Sequence, residues 1–508
     1  MMLLGIDIGT TNIKAGLFTK EGVCHSLTSR QNITYRGSDG GLYYNPNEIY
    51  QTVCSVVSEL KLKVDSNQVK AIGIASMAET GLIVDKKTCL PKYPFIPWFD
   101  TRASSELDKI YASTQPLEQF TKTGIRPSYK CALSKMLWLK NQEAKILDDA
   151  IWMNVADYIA YRMTGSIKTD YSLAGRTCVF RIDRKMWDQA ILETHDLDVS
   201  TFPPVVPSGD VAGHLHKESA LELNLRAGIP VSISGHDHVC AAFGVRVVIG
   251  DILSEFLIDS MGTAEALMGS INERKLREQE FDSGFAFGCD VVPGRLYWMG
   301  GLSASGGSVE WMRRLLGNPQ LTYEEMDRLI IEAGEEPTRI LYFPYLSGSG
   351  SPHSNVNVRA AFIGLNSAHK QADMIKAVLE GTAYEMEFIR RRAKSDLRIG
   401  VDKIAAVGGG TKNLKWLQVK ADVFGCPLRI PDVKNATLLG AALLAGIGSG
   451  TFNDEVEVAE VVKHADGFGE YVISPHDDRH KMYADLFENG YLAYQEPLRR
   501  ISKRVITS

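Results

Sequence analysis

The sequence predicts an α/β protein of two domains facing a shared cleft. Three observations carry this. The chain has 508 residues, too many for one hydrophobic core. Strand-like and helix-like stretches alternate through its second half. A strand–Gly-Thr–strand phrase stands both at the start and near the middle, as Gly9-Thr10 and as Gly262-Thr263.

The elements follow in order. In the opening segment LLGIDIG is apolar and β-prone, GTTN is a turn, and IKAGLFT is a second strand. Such a strand, ending in Gly-Thr-Thr, presents backbone N–H groups and two hydroxyls to whatever lies beyond it. The phrase returns in FLIDSMGTAEALMGS, residues 256–270. Two such units, each opening one half, suggest a duplication; so short a likeness also fits chance. Ile375, Leu379, Ala383, Met386 and Ile389 recur at helical spacing. Leu414, Leu417, Ala421 and Phe424 share one face of a helix that stops at Gly425, and the strand KIAAVGGG precedes it. ATLLGAALLAGIGSG reads as a tightly packed buried helix, and KMYADLFENGYLAYQEPL as a helix packed back on the body. The boundary falls near residues 245–255, dividing 1–248 from 249–508. No Pro/Gly/Ser-rich linker marks it, so the domains are expected to pack closely around a hinge.

Composition is that of a globular protein, 44% hydrophobic and 23% charged with a net charge of −5. No dense Lys/Arg block suggests a nucleic-acid footprint, and the basic end PLRRISKRV reads as a solvated helix face. Eight scattered cysteines without C-x-x-C pairs suit a reducing cytosol. The start lacks a basic leader and no apolar run reaches membrane-span length. These features predict a cytoplasmic protein with neither a membrane nor a nucleic-acid partner; a homodimer is left open.

Four stretches carry candidate chemistry. In DIGTTNIK, Thr10, Thr11 and Lys14 could hold a phosphate and Asp7 a Mg²⁺, although an ordinary hairpin explains the pattern equally. In VGGGTKN, three glycines between strand and helix would let a flat group such as adenine approach the backbone; a tight turn is the alternative. It is not a Walker A sequence, since no G-K-[ST] ends it. In FIPWFDTRA, Trp98, Asp100 and Arg102 offer an apolar face and two charges to a polyhydroxylated ligand, or simply form a surface loop with an ion pair. In SISGHDHVCAAFG, residues two apart on an extended chain point to the same side, so His236 and His238 could hold a metal with Asp237 as bystander. Alternatively Asp237 is the working group and the histidines surround it.

GIDIGTTNIKAGLF, PWFDTRA, KTDYSLAGRT, SGHDHVCAAFG, SMGTAEAL, PYLSGSGSPHSN and GGGTKNLKWLQVKADVFGCPL occur in this order over roughly residues 3 to 450. Together they resemble the FGGY carbohydrate kinases, which phosphorylate sugars and polyols with ATP. The resemblance implies two actin-like, ribonuclease-H-like domains with an ATP/sugar cleft between them. It implies that Thr10, Thr11 and Lys14 contact phosphate at one turn, and Gly262 and Thr263 at a second. Gly306, Glu310, Gly409 and Asn413 match nucleotide-contacting positions. Glu79 matches a substrate-contacting acid, Asp237 the catalytic base, and Asp7 with Asp237 the Mg²⁺ site. His238, standing where related kinases often carry an amide, is expected at the substrate with Trp98, Asp100 and Arg102.

With that resemblance the metal reading of His236 and His238 loses, since the chain shows no obvious third ligand. An aspartate accepting the hydrogen bond of a substrate hydroxyl orients it and takes its proton. WFDTRA is closest to ketose kinases, which favours xylulose or ribulose; glycerol, erythritol or another polyol or sugar acid is the alternative. Met77-Ala78-Glu79 matches neither the Gln-Arg-Glu of glycerol kinases nor the Gln-Met-His-Gly of xylulokinases. Two other classes are open to such a chain: an actin- or chaperone-like ATPase acting on a protein, and a catalytically dead sugar sensor. The small-acceptor residues argue against the first. Retention of Asp7, both Gly-Thr turns and Asp237 argues against the second.

Overall fold

The computed structural model describes residues 1–61, 66–465 and 468–506. The first half builds a six-stranded sheet from β1 (Met2–Ile8), β2 (Asn12–Thr19), β3 (Cys24–Gln31), β4 (Val69–Ser76), β5 (Val211–His214) and β6 (Pro230–His236), in the order β5-β6-β4-β1-β2-β3. The second half builds a seven-stranded sheet from β7 (Leu257–Met261), β8 (Glu265–Asn272), β9 (Ala286–Cys289), β10 (Arg295–Leu302), β11 (Ile404–Val407), β12 (Leu428–Pro431) and β13 (Glu470–Ile473), in the order β9-β10-β8-β7-β11-β12-β13.

The two sheets repeat one plan. Each half opens with an antiparallel hairpin, β1–β2 or β7–β8, and each hairpin turn is three residues, 9–11 and 262–264. Gly9 N–H donates to the Asn12 carbonyl at 2.9 Å, and Gly262 N–H to the Ala264 carbonyl at 3.0 Å. The first strand of each hairpin then pairs in parallel with β4 or β11, which pairs in parallel with β6 or β12. The short Gly-Thr likeness therefore marks a structural repeat.

Five helices matter for the site: α1 (Asp237–Ile249), α2 (Gly306–Leu316), α3 (Gln371–Leu397), α4 (Leu414–Phe424) and α5 (Ala436–Gly448). All five apolar positions expected on α3 are buried. On α4, Leu417, Ala421 and Phe424 are buried as expected, whereas Leu414 is 58% exposed. As the first helical residue it precedes the turn that packs.

α1 and α5 occupy equivalent places, after β6 and after β12, and pack on each other. α5 also lies on β1, β4 and β6, so a helix from the second half covers the first sheet. α1 in turn packs against Phe256, Ile258 and Met268 of the second half. The C-terminal helical segment packs back on the body through Tyr483, Phe487 and Tyr491, with Tyr491 stacked 4.5 Å from Phe343. No helix among the described residues is long and apolar enough to cross a membrane.

Candidate active site

Asp237 is placed by a break in β6. The parallel register against β4 shifts between Ile233 and Gly235, and Gly235 adopts φ 118°. A Cβ there would stand 2.3 Å from Ser172 Oγ, so glycine alone fits. The same hydroxyl accepts a hydrogen bond from His236 N at 2.9 Å and donates to Asp170 at 2.6 Å. His236 is thus the last residue of β6 and Asp237 the first of α1. The extended-chain expectation for 236–238 fails here, because the chain turns into a helix between the histidines.

The turn puts the carboxylate between the rings. Asp237 Oδ1 accepts from His238 N at 2.7 Å and lies 2.8 Å from His238 Nδ1 and 3.2 Å from His236 Nε2. Burial opposes ionisation, but the His238 charge and the hydrogen bonds from both rings outweigh it and hold the carboxyl well below its usual range. The positive end of α1 acts in the same sense. Asp237's charge raises His238, while burial lowers His236 toward the neutral form.

Asp7 faces Lys14 across the β1–β2 ladder. Its Oδ1 is buried without a partner, and burial together with Asp237's charge pushes it up to about 7. Beyond it, Thr10 Oγ1 accepts from Trp98 Nε1 at 3.0 Å, and the Thr10 carbonyl accepts from Tyr44 Oη at 3.1 Å. Thr11 is exposed, its carbonyl held by Asn32 N at 2.8 Å. Trp98 therefore ties the first Gly-Thr turn to the stretch expected at the acceptor.

Glu79 sits in the left-handed region at φ 63°, a strained setting for a side-chain-bearing residue. Three side chains hold it there. Arg176 Nη2 reaches Glu79 Oε1 at 2.5 Å, buried Lys135 donates to the Glu79 carbonyl, and Lys130 adds positive charge. Burial works against the Glu79 anion, yet Arg176 and Lys130 keep it below the usual range. Burial pushes Lys135 down to about 7. Tyr297, on β10 of the second half, lies beside Arg176 and 6.4 Å, ring to ring, from His236. Sequence reasoning did not single out Arg176, Lys135, Lys130 or Tyr297. The signal for Arg176 was its place in KTDYSLAGRT; Tyr297 carries none.

Asp100 and Arg102 pair with each other. Asp100, 3% exposed, accepts from Leu42 N at 2.7 Å and from Arg102 Nε at 3.0 Å. Arg102 also pairs with Asp39 at 2.5 Å and lies 4.5 Å over the Trp138 ring. Each is committed to the other and to the 39–42 loop.

Six residues expected at the nucleotide line one cavity of about 570 Å³: Gly262, Thr263, Gly306, Glu310, Gly409 and Asn413. Met261, Val309, Met326 and Trp416 supply apolar wall. A Cβ on Gly409 would meet nothing within 4 Å, so that position faces open space. Asn413 caps α4 by accepting from Trp416 N at 2.9 Å and donates to Asp327 at 3.0 Å. Glu310 is held by Arg313 and Tyr323, each at 2.7 Å. Thr10, Thr11 and Lys14 lie outside this cavity, on the hairpin of the other sheet. Close to the second turn lies a network the sequence reading missed: fully buried Lys420 pairs with Asp259 and Glu265, and Ser305 donates to Glu265. Burial and the Asp259 charge push Glu265 up to about 8.

A chain with a carboxylate at the end of one sheet and a cavity of about 570 Å³ beside the other has known relatives. The FGGY carbohydrate kinase N-terminal domain matches residues 2–244 and its C-terminal domain residues 258–449. A xylulose kinase of Bacillus subtilis (strain 168) is 29% identical over 498 residues, 96% of each chain. A glycerol kinase of Saccharolobus islandicus (strain M.14.25 / Kamchatka #1) is 27% identical over 469 residues, 91% of each chain. In fold, a ligand-bound xylulose kinase from Lactobacillus acidophilus superposes with a TM-score of 0.87 at 22% identity, over 97% of this chain and 98% of that one. The actin-like fold implied by the motifs is thereby found. The chain belongs to the FGGY family of carbohydrate kinases, which move a phosphoryl group from ATP to a sugar hydroxyl.

Proposed function

We propose that this kinase phosphorylates a ketose, with xylulose or ribulose as the leading candidates, at a hydroxyl that Asp237 orients and deprotonates. The observation that carries the reading is the state of Asp237. Its Oδ1 is engaged by both histidines, which favours the ionised form, and no hydrogen bond among the described residues engages Oδ2. A carboxylate held this low is a weak base, so the proton moves late and orientation supplies much of the effect.

ATP would be held in the 570 Å³ cavity, with Gly409 on its adenine side and Thr263 on its phosphate side, and Thr10, Thr11 and Lys14 would reach the phosphates from the other sheet. Asp7 and Asp237 would hold Mg²⁺: the orphaned buried Asp7 Oδ1 suits a hard cation, which when bound neutralises charge on the phosphates. Glu79, Trp98 and His238 face the acceptor, while Asp100 and Arg102 hold its loop. Residues 1–248 form the acceptor domain and 249–508 the nucleotide domain, with α5 reaching back across. Eight scattered cysteines without C-x-x-C pairs support a cytoplasmic setting.

The ketose reading is supported by the acceptor-side motif and by relatives named xylulose kinase. A panel of ketoses, aldoses, polyols and sugar acids with coupled ADP detection tests it. ADP release strongest with a pentulose supports the proposal. Release strongest with glycerol, another polyol or a sugar acid overturns the ketose assignment.

A further inference from the structure

His236 and His238 share one oxygen of the same aspartate, and that arrangement has a use outside phosphoryl transfer. The sequence offered no third ligand for this histidine pair; the folded chain supplies one, the aspartate between them. Donor atoms of His236, Asp237 and His238 all lie within 4.8 Å of one another. The Oδ1 to Nε2 and Oδ1 to Nδ1 separations are 3.2 and 2.8 Å. Tetrahedral zinc with bonds of about 2.0–2.2 Å sets its ligands roughly 3.3–3.6 Å apart, so an ion could replace the bridging protons once the two separations from Oδ1 open by about 0.1–0.8 Å and the histidine nitrogens, within 4.8 Å of each other, settle into that range. Two imidazoles and one carboxylate suit a borderline-soft ion; Mg²⁺ prefers oxygen throughout. His238 is 45% exposed and Asp237 22%, so a fourth position is reachable from solvent, whereas His236 at 7% anchors the site from beneath.

We propose that His236, Asp237 and His238 form a three-ligand site for Zn²⁺ or a like transition-metal ion, and that its occupancy inhibits the kinase by taking the carboxylate needed by the acceptor. The inhibitory half rests on the assignment of Asp237 above; the binding half does not.

The test is titration of the full-length enzyme, freed of metal and without ATP or sugar, with Co²⁺ followed by visible absorption. One equivalent is expected to produce tetrahedral d–d bands that Zn²⁺ abolishes and millimolar Mg²⁺ does not. His238→Gln, a change at an exposed side chain, is expected to weaken Co²⁺ binding by at least about tenfold, since even partners behind a metal ligand are worth that much. Asp237→Asn is expected to weaken it likewise. Absent bands, or unchanged affinity in both variants, overturns the site. In the wild-type enzyme Zn²⁺ should inhibit competitively with the sugar and not with ATP. Competition with ATP alone overturns the inhibitory role while leaving the absorption result to stand by itself.

Discussion

Gly440 of α5 lies so close to Cys240 of α1 that a Cβ on the glycine would stand 2.0 Å from the Cys240 carbonyl oxygen. Gly244, one turn along α1, meets the Ala436 carbonyl in the same way at 2.5 Å. The helices that follow β6 and β12 thus touch backbone to backbone, and a carbonyl cannot swing aside as a side chain can. Gly440→Val is expected to lower stability by at least about 1–3 kcal/mol, the usual cost of overpacking. Urea unfolding of the variant against wild type checks this; an unchanged midpoint would mean that the helices do not meet here.

Asp237→Asn keeps the side chain's size and removes its charge. Loss of a positioned base costs about 10²–10⁴ in rate. We expect kcat to fall in that range while the Kd for ATP stays near wild type, read by nucleotide titration. Near-normal turnover would remove Asp237 as the base.

Gly409→Leu projects a side chain into the open space of the 570 Å³ cavity, where a Cβ meets nothing within 4 Å. The fold should therefore tolerate it. The KM for ATP is expected to rise well above wild type and the KM for sugar to stay close to it. Equal rises in both would displace Gly409 from the adenine side.

Arg246 of α1 and Asp290, which follows β9, form an ion pair at 2.7 Å with side chains 2% and 1% exposed. The pair joins elements from the two halves. Removing one partner leaves the other charge buried, which costs about 3–5 kcal/mol, whereas replacing both with apolar groups is often neutral. Arg246→Met is expected to be strongly destabilising and Arg246→Met with Asp290→Leu to recover much of the loss. Thermal unfolding of the two variants distinguishes these outcomes.

Asp157 caps the helix Val155–Thr164 and is 1% exposed, and burial pushes its carboxyl up to about 7. Its folded pKa lies above the unfolded value of 3.8. The protonated form therefore adds stability that is complete below about pH 4 and is lost as the pH climbs through 7. The change is of the order of a few kcal/mol. Stability of wild type should fall between pH 4.5 and about 7.5 more steeply than that of Asp157→Asn, measured by denaturant unfolding at both ends.

Periodicity and turn chemistry act over a few residues, and what they govern was readable in the chain. The β1–β2 hairpin, the α3 stripe from Ile375 to Ile389 and the Gly-Thr likeness all follow from local spacing. The cluster around Gly409 and the base proposed at Asp237 became readable through ordered motifs. Tertiary structure alone decided the rest. Arg176 meets Glu79 across 97 positions of sequence, and Lys420 meets Asp259 across 161. Tyr297 joins Arg176 and His236 from the opposite half, α5 covers a sheet to which its own half contributes no strand, and Asp100 with Arg102 turn to the 39–42 loop. Such pairings depend on which faces two distant elements bury against each other, and no short-range pattern records that choice. Even the GHDH stretch reads as extended until the bulge at Gly235 starts a helix at Asp237, because a bulge is set by the neighbouring strand and by Ser172, not by the residues that carry it.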